Sequence, residues 1–216
     1  MGVAGNLIGS VMIALKIDDL FLPSYLFFIL GAVAFLFHFK ISNNKYLFKI
    51  QLVYILIGLW GVYNYSGHNY LAVLFALLFS VGSYLVFKFK TPKERMLSER
   101  EINEGDFTDK VGWILFCEKA SVALSLVGYI VLSTANVEVM GYAFWIWAMA
   151  SPFSYQVGLW IKSRPLLINT VIFMISEAVG IHVYFGSAAL ATSTTLVTLL
   201  MLWSYSITER KQALSV

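Results

Sequence analysis

An all-α, polytopic membrane fold of about eight transmembrane helices is what three observations predict. The chain has 216 residues, 59% of them hydrophobic and only 12% charged, against about 25% charged in an ordinary soluble domain. Its mean hydropathy is +0.77. Five stretches (20–39, 50–87, 120–137, 139–161 and 178–208) contain no Asp, Glu, Lys or Arg, and about 20 apolar residues cross a hydrocarbon core of roughly 30 Å. A water-soluble globule is thereby excluded. The net charge of +3 is too small and too scattered to suggest nucleic acid, and no nucleic-acid partner is expected.

The elements follow in order. The first basic residue is Lys16, so no positive region precedes the opening apolar run and a retained first helix is expected over 2–16. Helices follow over 22–40 and 46–65. The stretch 50–87 is too long for one crossing, and Ser66-Gly67-His68-Asn69 supplies its turn. A fourth helix spans 70–88, then 111–133 and 138–161. The stretch 178–208 also turns inside, at Phe185-Gly186-Ser187, which divides 164–185 from 188–207. With eight crossings, thirteen Lys and Arg fall on the side that holds both termini and Lys16 alone on the other. The positive-inside rule then predicts an inner (plasma) membrane protein with cytoplasmic termini. The connector 88–110 holds six basic and six acidic residues. Its Thr91-Pro92-Lys93-Glu94 fits a helix start, and it reads as a solvated linker or a docking segment.

The sequence also repeats. Displaced by 119 residues, Gly9 falls on Gly128, Lys45 on Arg164, Leu47 on Leu166, Gly61 on Gly180, Tyr65 on Tyr184 and Gly67 on Gly186. Gln51, Tyr54, Gly58, Gly61 and Tyr65 share one face of the third helix. Their counterparts on the seventh are Thr170, Phe173, Glu177, Gly180 and Tyr184. The expected organisation is a first three-helix bundle over 1–67, a linker helix and charged connector over 68–110, a second bundle over 111–186, and a C-terminal helix and tail over 187–216. The two bundles would be parallel repeats, and repeat-built transporters hold their substrate near mid-membrane between the halves.

The third helix, with Lys49-Ile50-Gln51-Leu52 leading to Gly58-Leu59-Trp60-Gly61-Val62-Tyr63-Asn64-Tyr65, resembles the corresponding helix of PnuC-type vitamin and nucleoside transporters, a family related in fold to the SWEET sugar transporters. Met201-Leu202-Trp203 followed by Thr208-Glu209-Arg210-Lys211 is similar to the end of such chains. The resemblance implies uptake of a vitamin-like or nucleoside-like solute of the nicotinamide riboside type by facilitated diffusion, with a cytosolic kinase trapping the solute. The chain departs from the family pattern at Tyr65 where a Trp is expected, in a sixth helix without the expected Asn, and at Glu177.

Polar groups within spans mark candidate sites. Gln51, Trp60, Asn64, Trp147, Gln156, Asn169 and Glu177 are the candidate substrate-binding residues. Trp60 and Asn64, one turn apart, would offer a stacking surface beside an amide, which suits a base or a sugar. Glu118 and Lys119 are neighbours on the fifth helix, so at most one of them faces inward easily. A Lys119–Glu177 ion pair is expected as a structural link; the alternative makes Glu177 a substrate-binding or proton-carrying carboxylate. His38, His68 and His182 have no metal-site spacing, so no metal is expected, and no cofactor. Cys117 reads as a small buried hydrophobe. No catalytic motif is present, so an enzyme is not expected. The remaining alternatives are a SWEET-like sugar carrier, a proton-coupled carrier using Glu177, and a non-transporting receptor or scaffold. A homo-oligomer is compatible with any of them.

Overall fold

A computed structural model describes residues 2–41, 45–90, 112–160 and 164–213. Among them the secondary structure is helical apart from short turns, with no strand. Eight helices follow one another: α1 (Gly2–Ala14), α2 (Asp18–Ile41), α3 (Lys45–Tyr65), α4 (Tyr70–Lys90), α5 (Gly112–Ser133), α6 (Val137–Trp160), α7 (Arg164–Phe185) and α8 (Ser187–Ala213). The segment 91–111, with the expected helix start at Thr91 and most of the charged connector, lies outside the described residues.

Six of these helices are long and apolar enough to cross a membrane, and the protein is an all-α, multi-pass membrane protein. In hydrocarbon the backbone has no water to bond, so each crossing must satisfy its own N–H and C=O groups as a helix. Of the eight expected crossings, the six are α2, α3, α4, α5, α7 and α8. At 13 residues α1 extends about 20 Å, short of the core thickness. The 24-residue α6 is long enough, and half of its residues are buried against protein. Two of the described breaks between helices hold a glycine in the left-handed conformation. Gly67 has φ 67° and Gly186 φ 88°, a conformation open to glycine at no steric cost. Asn69 Oδ1 accepts from the Leu71 N–H at 2.9 Å, and Asn136 Oδ1 from the Glu138 N–H at 3.0 Å. Both amides thereby occupy donors that a helix start leaves free.

The helices fall into two compact units. The first holds α1 to α4 together with Leu132–Ala135; the second holds α5 to α8 together with Ala14–Lys16. In the first unit α2 packs on α3, and α4 packs on both. In the second, α6 packs on α7, and α8 packs on both. The helix expected to serve only as a linker is therefore built into its unit in the way α8 is built into the other.

The 119-residue repeat recurs in these contacts. A Cβ on Gly61 would collide with the Tyr25 ring, and one on Gly180 would lie 2.5 Å from the Phe144 ring. Tyr25 and Phe144 are themselves 119 positions apart. Tyr25 leans on Tyr65 with ring centroids 5.2 Å apart and 32° between planes; Phe144 leans on Tyr184 at 5.7 Å and 34°. Edge-on contacts repeat as well, Tyr25 with Phe28 at 6.0 Å and Phe144 with Trp147 at 5.7 Å. Gly9 lies under Phe28 as Gly128 lies under Trp147. Even the positive-φ residues Lys16 (54°) and Ala135 (56°) are 119 apart. Lipid tails are as apolar as the helices, so close approach over glycine and shaped aromatic packing hold such helices together. The repeated positions are the ones that provide it.

Candidate functional site

The two units are alike in their packing and unlike in their polarity. On the α6–α7 interface Ser151 donates its hydroxyl to Glu177, 2.8 Å from Oε1 and 3.0 Å from Oε2. Glu177 is 3% exposed and Ser151 4%. One turn further along α6, Ser154 shares a 3.1 Å hydrogen bond with Thr170. The counterparts at a displacement of 119 are Ala32 for Ser151, Gly58 for Glu177, Phe35 for Ser154 and Gln51 for Thr170. The Ser151–Glu177 pair is thus a feature of the second unit alone, added to a shared scaffold.

Glu177 lines an open-sided cavity of about 230 Å³ bordered by α6, α7 and α8. Ser193, Thr194 and Thr198 of α8 supply its other polar wall, and Ala148, Ile181 and Met201 are among the apolar ones. Every one of these hydroxyls has an acceptor in its own helix. Ser193 donates to the Leu190 carbonyl at 2.9 Å, Thr194 reaches the Leu190 and Ala191 carbonyls at 2.9 and 3.0 Å, and Thr198 donates to the Thr194 carbonyl at 2.7 Å. Hydroxyl groups inside apolar helices satisfy themselves in this way. What they then turn to the cavity is oxygen lone pairs. Pro152, buried in the interior of α6, has no N–H for the Ala148 carbonyl one turn earlier. Ala148 is also a lining residue.

The sequence-predicted residues distribute unevenly. Glu177 is in the cavity wall. The expected Lys119–Glu177 ion pair is replaced: the hydroxyl of Ser151 holds the carboxylate, while Lys119 is exposed and its neighbour Glu118 is the buried member of the two. A neutral donor avoids the cost of burying a second charge. Trp147 is 5% exposed and donates its indole N–H to the Ser125 carbonyl at 3.1 Å, with its ring edge-on to Phe173 at 5.8 Å. Gln156 is 1% exposed on α6. Asn169 on α7 is half-buried, and among the described residues its Oδ1 is a buried acceptor without a hydrogen-bond partner.

In the first unit Trp60 is 41% exposed. The Asn64 amide donates to the Ser133 carbonyl at 2.6 Å. Gln51 is half-buried on α3. Among the described residues no cluster of three or more His, Cys, Asp or Glu could hold a metal ion, and Cys117 is buried.

Ser151, Ser193, Thr194 and Thr198 were not singled out by sequence reasoning. A signal did exist: Thr192-Ser193-Thr194-Thr195 is a run of hydroxyls inside an otherwise apolar span, where each polar group requires a partner. Comparison of the chain with protein-family models, with curated proteins and with solved structures finds no match in any of the three.

Proposed function

We propose that this membrane protein is a transporter that moves a small polar solute across the plasma membrane by facilitated diffusion, through alternating access. The observation that carries the reading is the buried carboxylate of Glu177 in a hydroxyl-lined cavity among membrane-spanning helices. Polar groups at that depth are costly, and substrate or ion pathways are the usual reason for them. A compact protein without such a pathway would gain from an apolar residue there, as Gly58 and Ala32 illustrate at the equivalent positions of the other unit.

The solute class follows from the resemblance of α3 to PnuC-type transporters: a vitamin-like or nucleoside-like molecule, with sugars as the competing class. The thirteen-to-one partition of Lys and Arg supports cytoplasmic termini under the positive-inside rule, and a cytosolic kinase would trap the solute after entry. The test is uptake by the purified full-length chain in proteoliposomes. Saturable uptake of a labelled nucleoside or vitamin precursor, competed by its congeners and not by sugars, is expected. Competition by sugars alone transfers the reading to a sugar carrier, and absence of flux across a broad panel overturns it in favour of a receptor or scaffold.

A further inference from the structure

We propose that the cavity between α6, α7 and α8 is a binding site for a small monovalent cation, either an inorganic ion such as sodium or the ammonium group of a solute. The inference rests on reading that cavity as the ligand site of a carrier, and it adds the charge of what is bound. The argument is an inventory of hydrogens. Around the cavity the polar atoms are the Glu177 carboxylate and the oxygens of Ser193, Thr194 and Thr198. The three α8 hydroxyls spend their hydrogens on carbonyls of their own helix, and the Ser151 hydroxyl spends its hydrogen on Glu177. Among the described lining residues the hydroxyl hydrogens are thus committed, and oxygen atoms are what the wall offers.

A small cation is the complement of this wall. Hard cations take oxygen ligands of these kinds, carboxylate, hydroxyl and carbonyl, and an ammonium group offers only donors. Ala148, whose carbonyl has no N–H of Pro152 to accept from, is among the lining residues. One carboxylate matches one positive charge, so the bound site is neutral inside the bilayer. The first unit has Gly58 in place of Glu177, which leaves it without the countercharge.

The experiment is a thermal unfolding series on the full-length chain in detergent, read by intrinsic tryptophan fluorescence. Sodium chloride or methylammonium chloride replaces choline chloride at constant ionic strength. A ligand that binds the folded form raises its unfolding temperature with concentration. We expect a rise of a few degrees with one of the two small cations and none with choline. A response to sodium identifies an inorganic ion, and a response to methylammonium alone identifies an ammonium group. Glu177→Gln should abolish the rise. Thr198→Val, at an exposed lining position, should reduce it relative to its own choline control, so the site stays testable even if Glu177→Gln fails to fold. Equal behaviour of all three salts, or a rise retained in both variants, overturns the proposal. The readout needs no transport. Cation-dependent stabilisation without flux keeps the site and sinks the carrier reading; flux without it does the reverse.

Discussion

Removing the hydroxyl of Ser151 isolates the interaction on which the second unit's polarity depends. Serine and alanine differ by one oxygen, so Ser151→Ala leaves almost no void, and its cost is the loss of one donor to two buried carboxylate oxygens at 2.8 and 3.0 Å. Hydrogen bonds to charged groups contribute about 1.5–3 kcal/mol and neutral ones about 0.5–1.5. The expected loss is about 2 kcal/mol, or roughly a 30-fold fall in the folded-to-unfolded ratio. Ser154→Ala is the internal control. It breaks the neutral Ser154–Thr170 bond on the same interface and should cost about 1 kcal/mol. The assay is reversible unfolding in mixed micelles of Ser151→Ala, Glu177→Gln and the double variant. A coupling of about 1 kcal/mol between the two positions is expected, within the range for residues in direct contact. Additive effects in the double variant, or a Ser151→Ala cost no greater than that of Ser154→Ala, would refute the reasoning.

Four further outcomes follow from the packing. Gly180→Ala and Gly61→Ala each force a methyl into an aromatic ring, Phe144 or Tyr25, and each should lower stability by about 1–3 kcal/mol; unfolding midpoints check whether the two repeats respond alike. Gly67→Ala has open space around the new methyl but a φ of 67°, so strain alone should cost about 1–2 kcal/mol in the same assay. Trp147→Ala empties a buried position and should cost about 3–5 kcal/mol, whereas Trp60→Ala, at an exposed one, should stay within about 0.5. Asn64→Ala releases the Ser133 carbonyl and should cost about 1 kcal/mol by denaturant titration.

The helices were legible because hydrocarbon leaves the chain little choice. Charge-free stretches broken at Gly67 and Gly186 mark crossings and turns directly, and α7 is the helix expected over 164–185. α8 runs to Ala213, six residues past its expected end, because a helix can continue after it leaves the apolar region and Thr208-Glu209-Arg210-Lys211 contains no Gly or Pro to stop it. The candidate site was legible only in part. Glu177 stood out as a lone acid within a span. Its partner did not, because Coulomb attraction pointed to Lys119, while the structure leaves that side chain exposed and uses a serine from another helix. Trp60 and Trp147 look equivalent as letters, yet one is exposed and the other covers Gly128.

By itself, then, the sequence determined that this is a multi-pass helical membrane protein, where most of its helices begin and end, and that its two halves share a spacing of 119 residues. These properties depend on local apolarity, on glycine's backbone freedom and on a repeat carried in the letters. The tertiary structure alone decided which faces meet: Ser151 on Glu177, the α8 hydroxyls on their cavity, Asn64 on the Ser133 carbonyl. The physical reason is rotational. A helix in hydrocarbon forms whichever way it is turned about its axis, and with lipid as apolar as its neighbours only the fit of glycines, rings and a few hydrogen bonds selects one orientation.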